Sequence, residues 1–220
     1  MNAIMNEKGR QTKLLAAIAI IAMVVCAFAV IMPSDSVNAE DAALTQDQFV
    51  HAIKDGVYTV DGNDTITLTE DLGSAAEPIE VRFDYTGAYT VTFTTTSSET
   101  VNVYLSYAAY GSAASDDTKA MFSGTTSQTA GLKLSGNISM DVVLTESSTT
   151  EDKTNNHIAK YTDLTLENGA DITMHQDSAV AGVSWYMGTI TAGNGSVITL
   201  DAANGINAKF ALTNADLVIK

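Results

Sequence analysis

The segment LTLENGADITM, residues 164–174, decides between two folds. Four apolar residues flank its Asn168-Gly169 pair at alternate positions: Leu164, Leu166, Ile172 and Met174. Asn-Gly between alternating apolar residues is the strongest short-range signal for a β-hairpin. The segment also suits a corner between consecutive strands of a repeating structure, because Asn and Gly adopt left-handed backbone conformations at low cost.

The layout of this segment recurs along the chain. Four other segments read apolar-x-apolar, a short turn containing Asn, then apolar-x-apolar: residues 58–68, 132–140, 190–200 and 210–219. The units that start at residues 132, 164, 190 and 210 are 32, 26 and 20 residues apart. Periods of about 20–30 residues are typical of solenoids, in which each unit buries its apolar face against its neighbours. The spacing therefore predicts a corner at residues 164–174 rather than a hairpin.

Residues 44–55, LTQDQFVHAIKD, are the one clear helical pattern after residue 39. Thr45 and Gln48 form a capping box at its start, and Gly56 is predicted to end it. The predicted apolar stripe consists of Leu44, Phe49, Val50 and Ile53. We therefore expect a capping helix within residues 40–56 and strands over most of residues 57–220.

Residues 53–72, IKDGVYTVDGNDTITLTEDL, together with units such as LTLENGADITM, resemble the surface adhesin-like proteins of the pectin-lyase-like class. The resemblance implies a right-handed parallel β-helix whose short N-terminal helix covers the open end. It also implies adhesion or a structural role in the cell envelope. The alternative is a β-sandwich, in which the chain would be a pilus-like, strand-donating subunit or a carbohydrate-binding module.

Residues 1–39 are predicted to be a signal peptide or an N-terminal membrane anchor. Lys8, Arg10 and Lys13 precede nineteen uncharged residues at 14–32, and Val37-Asn38-Ala39 offers a cleavage site. Either form places the rest of the chain at the cell surface or outside the cell, in contact with a membrane only through residues 14–32. The only cysteine is Cys26. We therefore expect no disulfide after residue 39.

The chain is strongly acidic, with a net charge of −15. Removing the three basic and two acidic residues of the leader from 11 and 26 leaves 8 and 24, a net charge of −16. Such a surface repels phosphate groups, which argues against nucleic acid and anionic lipid as partners. The acids are scattered singly or in pairs and are predicted to form a solvated shell.

The sequence contains no recognisable catalytic, cofactor or metal motif. Asp116-Asp117 is the only Asp-Asp pair after the leader, and Arg82 is the only arginine there, predicted to pair with Glu80 or Asp84. A polysaccharide lyase or hydrolase is therefore the weaker alternative. His157 and His175 lack the spacing of a zinc site, and DGND at 61–64 lacks the rest of a calcium loop.

Three features suggest how the surface is used. Asn63, Asn137 and Asn194 begin N-x-S/T sequons in predicted turns, which marks them as candidate glycosylation sites. Five aromatic residues could form a platform for sugars, although packing is their favoured role: Tyr104, Tyr107, Tyr110, Trp185 and Tyr186.

Residues 210–220 are predicted to form strands with no capping element after them. This edge predicts self-association or continuation of the protein beyond residue 220, and surface glycans or other cell-surface proteins are the expected partners.

Overall fold

The computed structural model describes residues 41–109, 120–146, 157–167, 169–176, 185–202 and 205–220. The leader 1–39, the Asp116-Asp117 pair, Tyr110 and Asn168 lie outside these ranges. So do residues 111–118 and 147–156, whose polar composition predicts surface loops. Among the described residues, no helix has the length and apolar character needed to cross a membrane.

The helix α1 spans Gln46–Ala52, and its capping box is confirmed. The Gln48 N–H donates to Thr45 Oγ1 at 3.3 Å, and the Thr45 N–H donates to Gln48 Oε1 at 2.8 Å. The prediction that Gly56 ends the helix is wrong. Gly56 has φ +72° and forms a tight turn in which Lys54 and Val57 exchange two backbone hydrogen bonds of 2.9 Å.

The helix covers one end of the core with a single large side chain. Phe49 is completely buried, while Leu44 and Ile53 are partly buried against the same core. The assignment of Val50 to the apolar stripe is wrong, because Val50 is 41% exposed. His51 is exposed on the rim of the helix.

The other elements are strands. In chain order they are β1 Ala43–Thr45, β2 Val57–Val60, β3 Asp64–Leu68, β4 Ile79–Glu80, β5 Arg82–Tyr85, β6 Thr90–Thr95, β7 Val101–Ala109, β8 Ala120–Ser123, β9 Ala130–Ser135, β10 Ile138–Glu146, β11 His157–Lys160, β12 Thr162–Glu167, β13 Asp171–Gln176, β14 Trp185–Ala192, β15 Val197–Ala202, β16 Ile206–Leu212 and β17 Asp216–Ile219. They form one 11-stranded sheet and one 6-stranded sheet.

The strands stack in three parallel ladders. Ladder 1 runs β2-β5-β8-β11, ladder 2 runs β1-β3-β6-β9-β12, and ladder 3 runs β4-β7-β10-β13-β15-β17. The longer strand β14 spans two ladders, because it pairs with β11 of ladder 1 and with β12 of ladder 2. The strand β16 then pairs with β14. Each pair of named strands in the described part of the chain is parallel, and the predicted all-β fold is confirmed. A sandwich of hairpins would pair its strands antiparallel.

The opening segment is a corner, as the repeat predicts. Its two halves belong to β12 and β13, which lie in different sheets. We call one passage of the chain through the ladders a coil; β12 pairs with β9 and β14, and β13 pairs with β10 and β15, in the preceding and following coils. A left-handed residue lies between ladders 2 and 3 in four successive coils: Gly136, Gly169, Gly195 and Asn214, with φ of 96°, 78°, 81° and 51°. The turn chemistry read from the sequence therefore marks the corners.

The register confirms most of the repeat and corrects two units. The four unit starts are aligned one above another: Leu132, Leu164, Ile190 and Phe210. In the unit at 132–140, however, Met140 rather than Ile138 aligns with Ile172. The unit at 58–68 joins ladder 1 to ladder 2, so it occupies a different corner.

The inner faces of the ladders form one apolar core. One inward column of ladder 2 runs Ile66, Phe93, Leu134, Leu166, Ala192 and Leu212. Phe49 of α1 and four rings of the strands form one aromatic cluster at this end of the core: Tyr58, Phe83, Phe93 and Phe122. Alternate residues point outward and build the faces described below.

Candidate functional site

The outer face of ladder 3 carries a groove of about 470 Å³, here called the His175 groove. Its walls include side chains from five coils: Ala75, Pro78, Tyr104, Asp141, Val143, Thr145, His175 and Asp201. Tyr104, Asp141 and His175 alternate with buried residues along their strands, so strand pleating turns them outward. The register pairs Tyr104 with Asp141 and His175 with Asp201, which assembles the groove from distant parts of the sequence.

His175 lies between two carboxylates. Its Nε2 is 3.2 Å from Asp141 Oδ1, and its Nδ1 is 3.3 Å from Asp201 Oδ2. About a third of the His175 side chain is exposed. Asp141 Oδ1 is buried and accepts no hydrogen bond. Its 3.2 Å contact with His175 Nε2 is therefore close enough for an ion pair but lacks the geometry of a hydrogen bond. His175 thus has a carboxylate beside each ring nitrogen and also lines the groove.

This cluster does not have the form of a metal site. A metal ion needs ligand atoms that converge on one point, whereas here both ring nitrogens point at carboxylate oxygens. No other group of three His, Cys, Asp or Glu within the described ranges is arranged as a metal site either. His157 lies apart, buried in ladder 1 and stacked on Tyr186 at a centroid distance of 5.1 Å.

The aromatic residues divide between the core and the surface. Trp185 is completely buried and its Nε1–H donates to the Thr162 carbonyl at 2.8 Å, and Tyr107 is also buried. The preferred packing role is confirmed for these two residues. Of the predicted platform residues that the structure describes, Tyr104 is the one that lines the His175 groove.

The remaining polar residues singled out in the sequence have structural contacts. Arg82 pairs with Asp84 at 3.7 Å, one of its two predicted partners. In the DGND turn, Asp64 is buried and accepts a 2.8 Å hydrogen bond from the Tyr58 hydroxyl. Burial raises the pKa of Asp64 above its ordinary value, and the bond from Tyr58 offsets part of that rise.

The three sequon asparagines are all exposed. Two already use their amides in the folded chain. Asn63 Nδ2 donates to Asp41 Oδ1 at 3.0 Å, and Asn137 Nδ2 donates to the carbonyls of Ser97 and Ser98 at 3.2 and 3.0 Å. Asn194 borders an open cleft, and the described residues give its amide no hydrogen bond. Glycosylation stays a prediction, and Asn194 is the sequon that the folded chain leaves most accessible.

Sequence reasoning missed a set of aspartates that join successive coils. Three of them accept a backbone N–H from the following coil: Asp71 from Asn102 at 2.7 Å, Asp163 from Thr189 at 2.6 Å, and Asp171 from Val197 at 2.7 Å. The acidic residues are therefore not only a solvated shell. The spacing of the repeat could have indicated these hydrogen bonds. The Asp163–Thr189 and Asp171–Val197 pairs are each separated by 26 residues, which is also the distance between the unit starts at 164 and 190.

No family model, curated protein or solved structure matches this chain. The resemblance to adhesin-like proteins therefore depends on the residue patterns alone.

Proposed function

We propose that this chain is an exported, non-catalytic surface protein of adhesin-like or envelope-structural type. In this proposal the three ladders are the sides of a right-handed parallel β-helix. The His175 groove binds saccharides of the cell surface, and the N-terminal segment directs export or anchors the protein.

Connection geometry supports the handedness. Parallel strands of one sheet that are joined by a crossover are connected in a right-handed sense in about 98% of cases. Here the chain leaves ladder 2 at β9, passes through β10 and β11, and returns parallel to itself at β12. Each coil repeats that crossover, so the same preference applies at every turn.

The observation that carries the proposed binding role is the composition of the His175 groove. Saccharides present ring hydroxyls in fixed directions together with apolar C–H faces. Asp141 and Asp201 offer acceptors for hydroxyl groups, and the exposed part of Tyr104 offers a surface for a sugar ring. The groove runs across the coils, so it suits an extended chain of sugars rather than an enclosed small molecule.

The position of His175 favours binding over catalysis. A general base needs an unoccupied nitrogen within reach of the proton it removes. Both nitrogens of His175 already face carboxylates at 3.2 and 3.3 Å. In this proposal the His175 imidazole lines the groove and does not act as a general base.

A glycan array probed with the purified protein tests the binding role. We expect retention of a defined set of saccharides, and at least a ten-fold loss for Tyr104→Ala and for Asp201→Asn. Asp84→Asn is the matched control, because Asp84 is an exposed carboxylate on the outer face of the other sheet. Equal loss in the control, or no retained glycan, would contradict the proposal.

Export is tested separately by adding protease to intact cells that produce the protein. Residues 40–220 are expected to be digested or released while cytoplasmic markers survive. Protection of the chain until the cells are lysed would refute the surface location.

A further inference from the structure

The His175 groove has an excess of acidic side chains. Its acidic and basic residues are Asp141, Asp201 and His175, and neither lysine nor arginine is among the described residues that line it. The lining therefore carries net negative charge whether the imidazole is neutral or protonated. Glu80 lies in the same outward column as His175 and Asp201 and adds charge of the same sign. Lys220 follows Asp201 in the register but does not line the groove.

Each aspartate of the groove keeps one carboxylate oxygen free of contacts with the chain. Asp141 Oδ1 and Asp201 Oδ2 lie beside the nitrogens of His175, at 3.2 and 3.3 Å. In the part of the chain that the structure describes, neither Asp141 Oδ2 nor Asp201 Oδ1 has a hydrogen-bond or ion-pair partner. The side chains are 32% and 48% exposed, so a ligand in the groove can reach them. Because ionised carboxylates only accept hydrogen bonds, that ligand has to supply donors.

The two carboxylates are spaced for a chain of sugars. Asp141 lies on β10 and Asp201 on β15, and β13 is the one strand between them in ladder 3. Neighbouring strands lie about 4.8 Å apart, which separates β10 from β15 by roughly 9–10 Å. This separation is close to the length of a disaccharide. A saccharide chain laid across the coils therefore passes both carboxylates.

We propose that the His175 groove selects saccharide chains with unsubstituted amino groups, such as oligomers of glucosamine. An ammonium group brings three N–H donors and a positive charge to a carboxylate, whereas a hydroxyl brings one donor. Hydrogen bonds assisted by charge are about twice as strong as neutral ones. N-acetylation removes that charge and a uronic acid adds a repulsive one, so the groove discriminates against both kinds of sugar. The inference rests on the proposed saccharide binding and specifies the class of sugar.

Matched tetrasaccharides of glucose, N-acetylglucosamine and glucosamine test the inference, because they differ only in the substituent on the second carbon. Their affinities are measured by isothermal titration calorimetry on the full 220-residue chain. A polyoxyethylene detergent keeps the protein in solution without adding charge or sugar. The glucosamine oligomer is expected to bind about ten-fold more tightly than the other two. Added salt should reduce this advantage, because it screens exposed charges.

Variants of Asp201 separate the groove from the acidic surface as a whole. Asp201→Asn should lower the affinity for the glucosamine oligomer about ten-fold, and Asp201→Lys should lower it further, in step with the charge. Asp84→Asn is the matched control, since Asp84 is an exposed carboxylate on the other sheet and its loss should leave the affinity unchanged.

The possible failures are distinguishable. Equal affinity for the three oligomers would overturn the preference and leave the saccharide-binding role intact. Failure of all three to bind would overturn the inference, and the glycan array then shows whether the groove binds other saccharides or none. A preference that Asp84→Asn reduces as much as Asp201→Asn would also overturn it, because the attraction would then come from the net charge of −15 and not from the groove.

Discussion

Replacing Phe49 with alanine is expected to destabilise the protein more than any other single change in α1. The Phe49 ring contacts three aromatic rings of the first coils: Tyr58 at a centroid distance of 5.0 Å, Phe93 at 5.6 Å and Phe83 at 6.1 Å. The side chain is completely buried.

The magnitude follows from burial and ring contacts. Truncation of a buried phenylalanine to alanine costs about 3–5 kcal/mol. That range already includes the lost ring contacts, and a side chain that forms three aromatic pairs falls in its upper part. We therefore expect the free energy of unfolding of Phe49→Ala to fall by about 4–5 kcal/mol.

Urea unfolding followed by circular dichroism measures this loss. The neighbouring Val50→Ala is the control, because Val50 lies on the exposed side of the same helix. Its effect should stay within about 0.5 kcal/mol. A loss below about 1 kcal/mol for Phe49→Ala, or equal losses for the two variants, would refute the claim that this helix closes the core.

Three further outcomes follow from local contacts. Thr45→Ala removes the capping box and should cost about 1 kcal/mol in urea unfolding, whereas Thr45→Ser should retain most of the stability. Burial raises the pKa of Asp64, so its contribution to stability is full below the pH at which an unfolded aspartate titrates and declines as pH rises through the folded pKa. Asp64→Asn should flatten that decline in thermal melts recorded across the acidic range, and an unchanged profile would show that another group is responsible. Gly188 has φ +125° and a Cβ there would lie 2.1 Å from the Thr162 carbonyl oxygen, so Gly188→Ala should lower the free energy of unfolding by more than about 1 kcal/mol. Gly193→Ala should not match this loss, because a Cβ there meets its nearest neighbour, the Leu166 carbonyl oxygen, at an ordinary contact distance of 3.4 Å.

The sequence was sufficient for the repeat and its corners because both depend on local chemistry. Alternation identifies the inward residues, and Asn or Gly marks the left-handed corner positions, as Gly169 and Asn214 show. The register of Leu132, Leu164, Ile190 and Phe210 followed from spacing alone. The capping box was equally readable, since it joins residues three apart.

The missed features depend on contacts between coils. Val50 fits a helical stripe by period, but which face meets the core is decided by where the first coils lie. Met140 lies six residues after Leu134, as Ile172 lies six residues after Leu166, so the two corners have the same length. A shift of two residues to Ile138 preserves the alternation, which is why the sequence pattern alone did not separate the two alignments. The His175 groove combines residues from strands 26 to 37 positions apart in the sequence, with no local motif to mark it.

The central claim is that the chain coils in parallel and does not fold back at residues 164–174. Two double-cysteine variants in a Cys26→Ser background test it directly with a short thiol cross-linker. Thr173 aligns with Thr199 of the next coil, so that pair should cross-link. Thr165 would face Thr173 in a hairpin that keeps the apolar residues on one face, but the two lie in different sheets here. Efficient cross-linking of the Thr173–Thr199 pair and none of the Thr165–Thr173 pair is the predicted result, and the reverse would contradict the account.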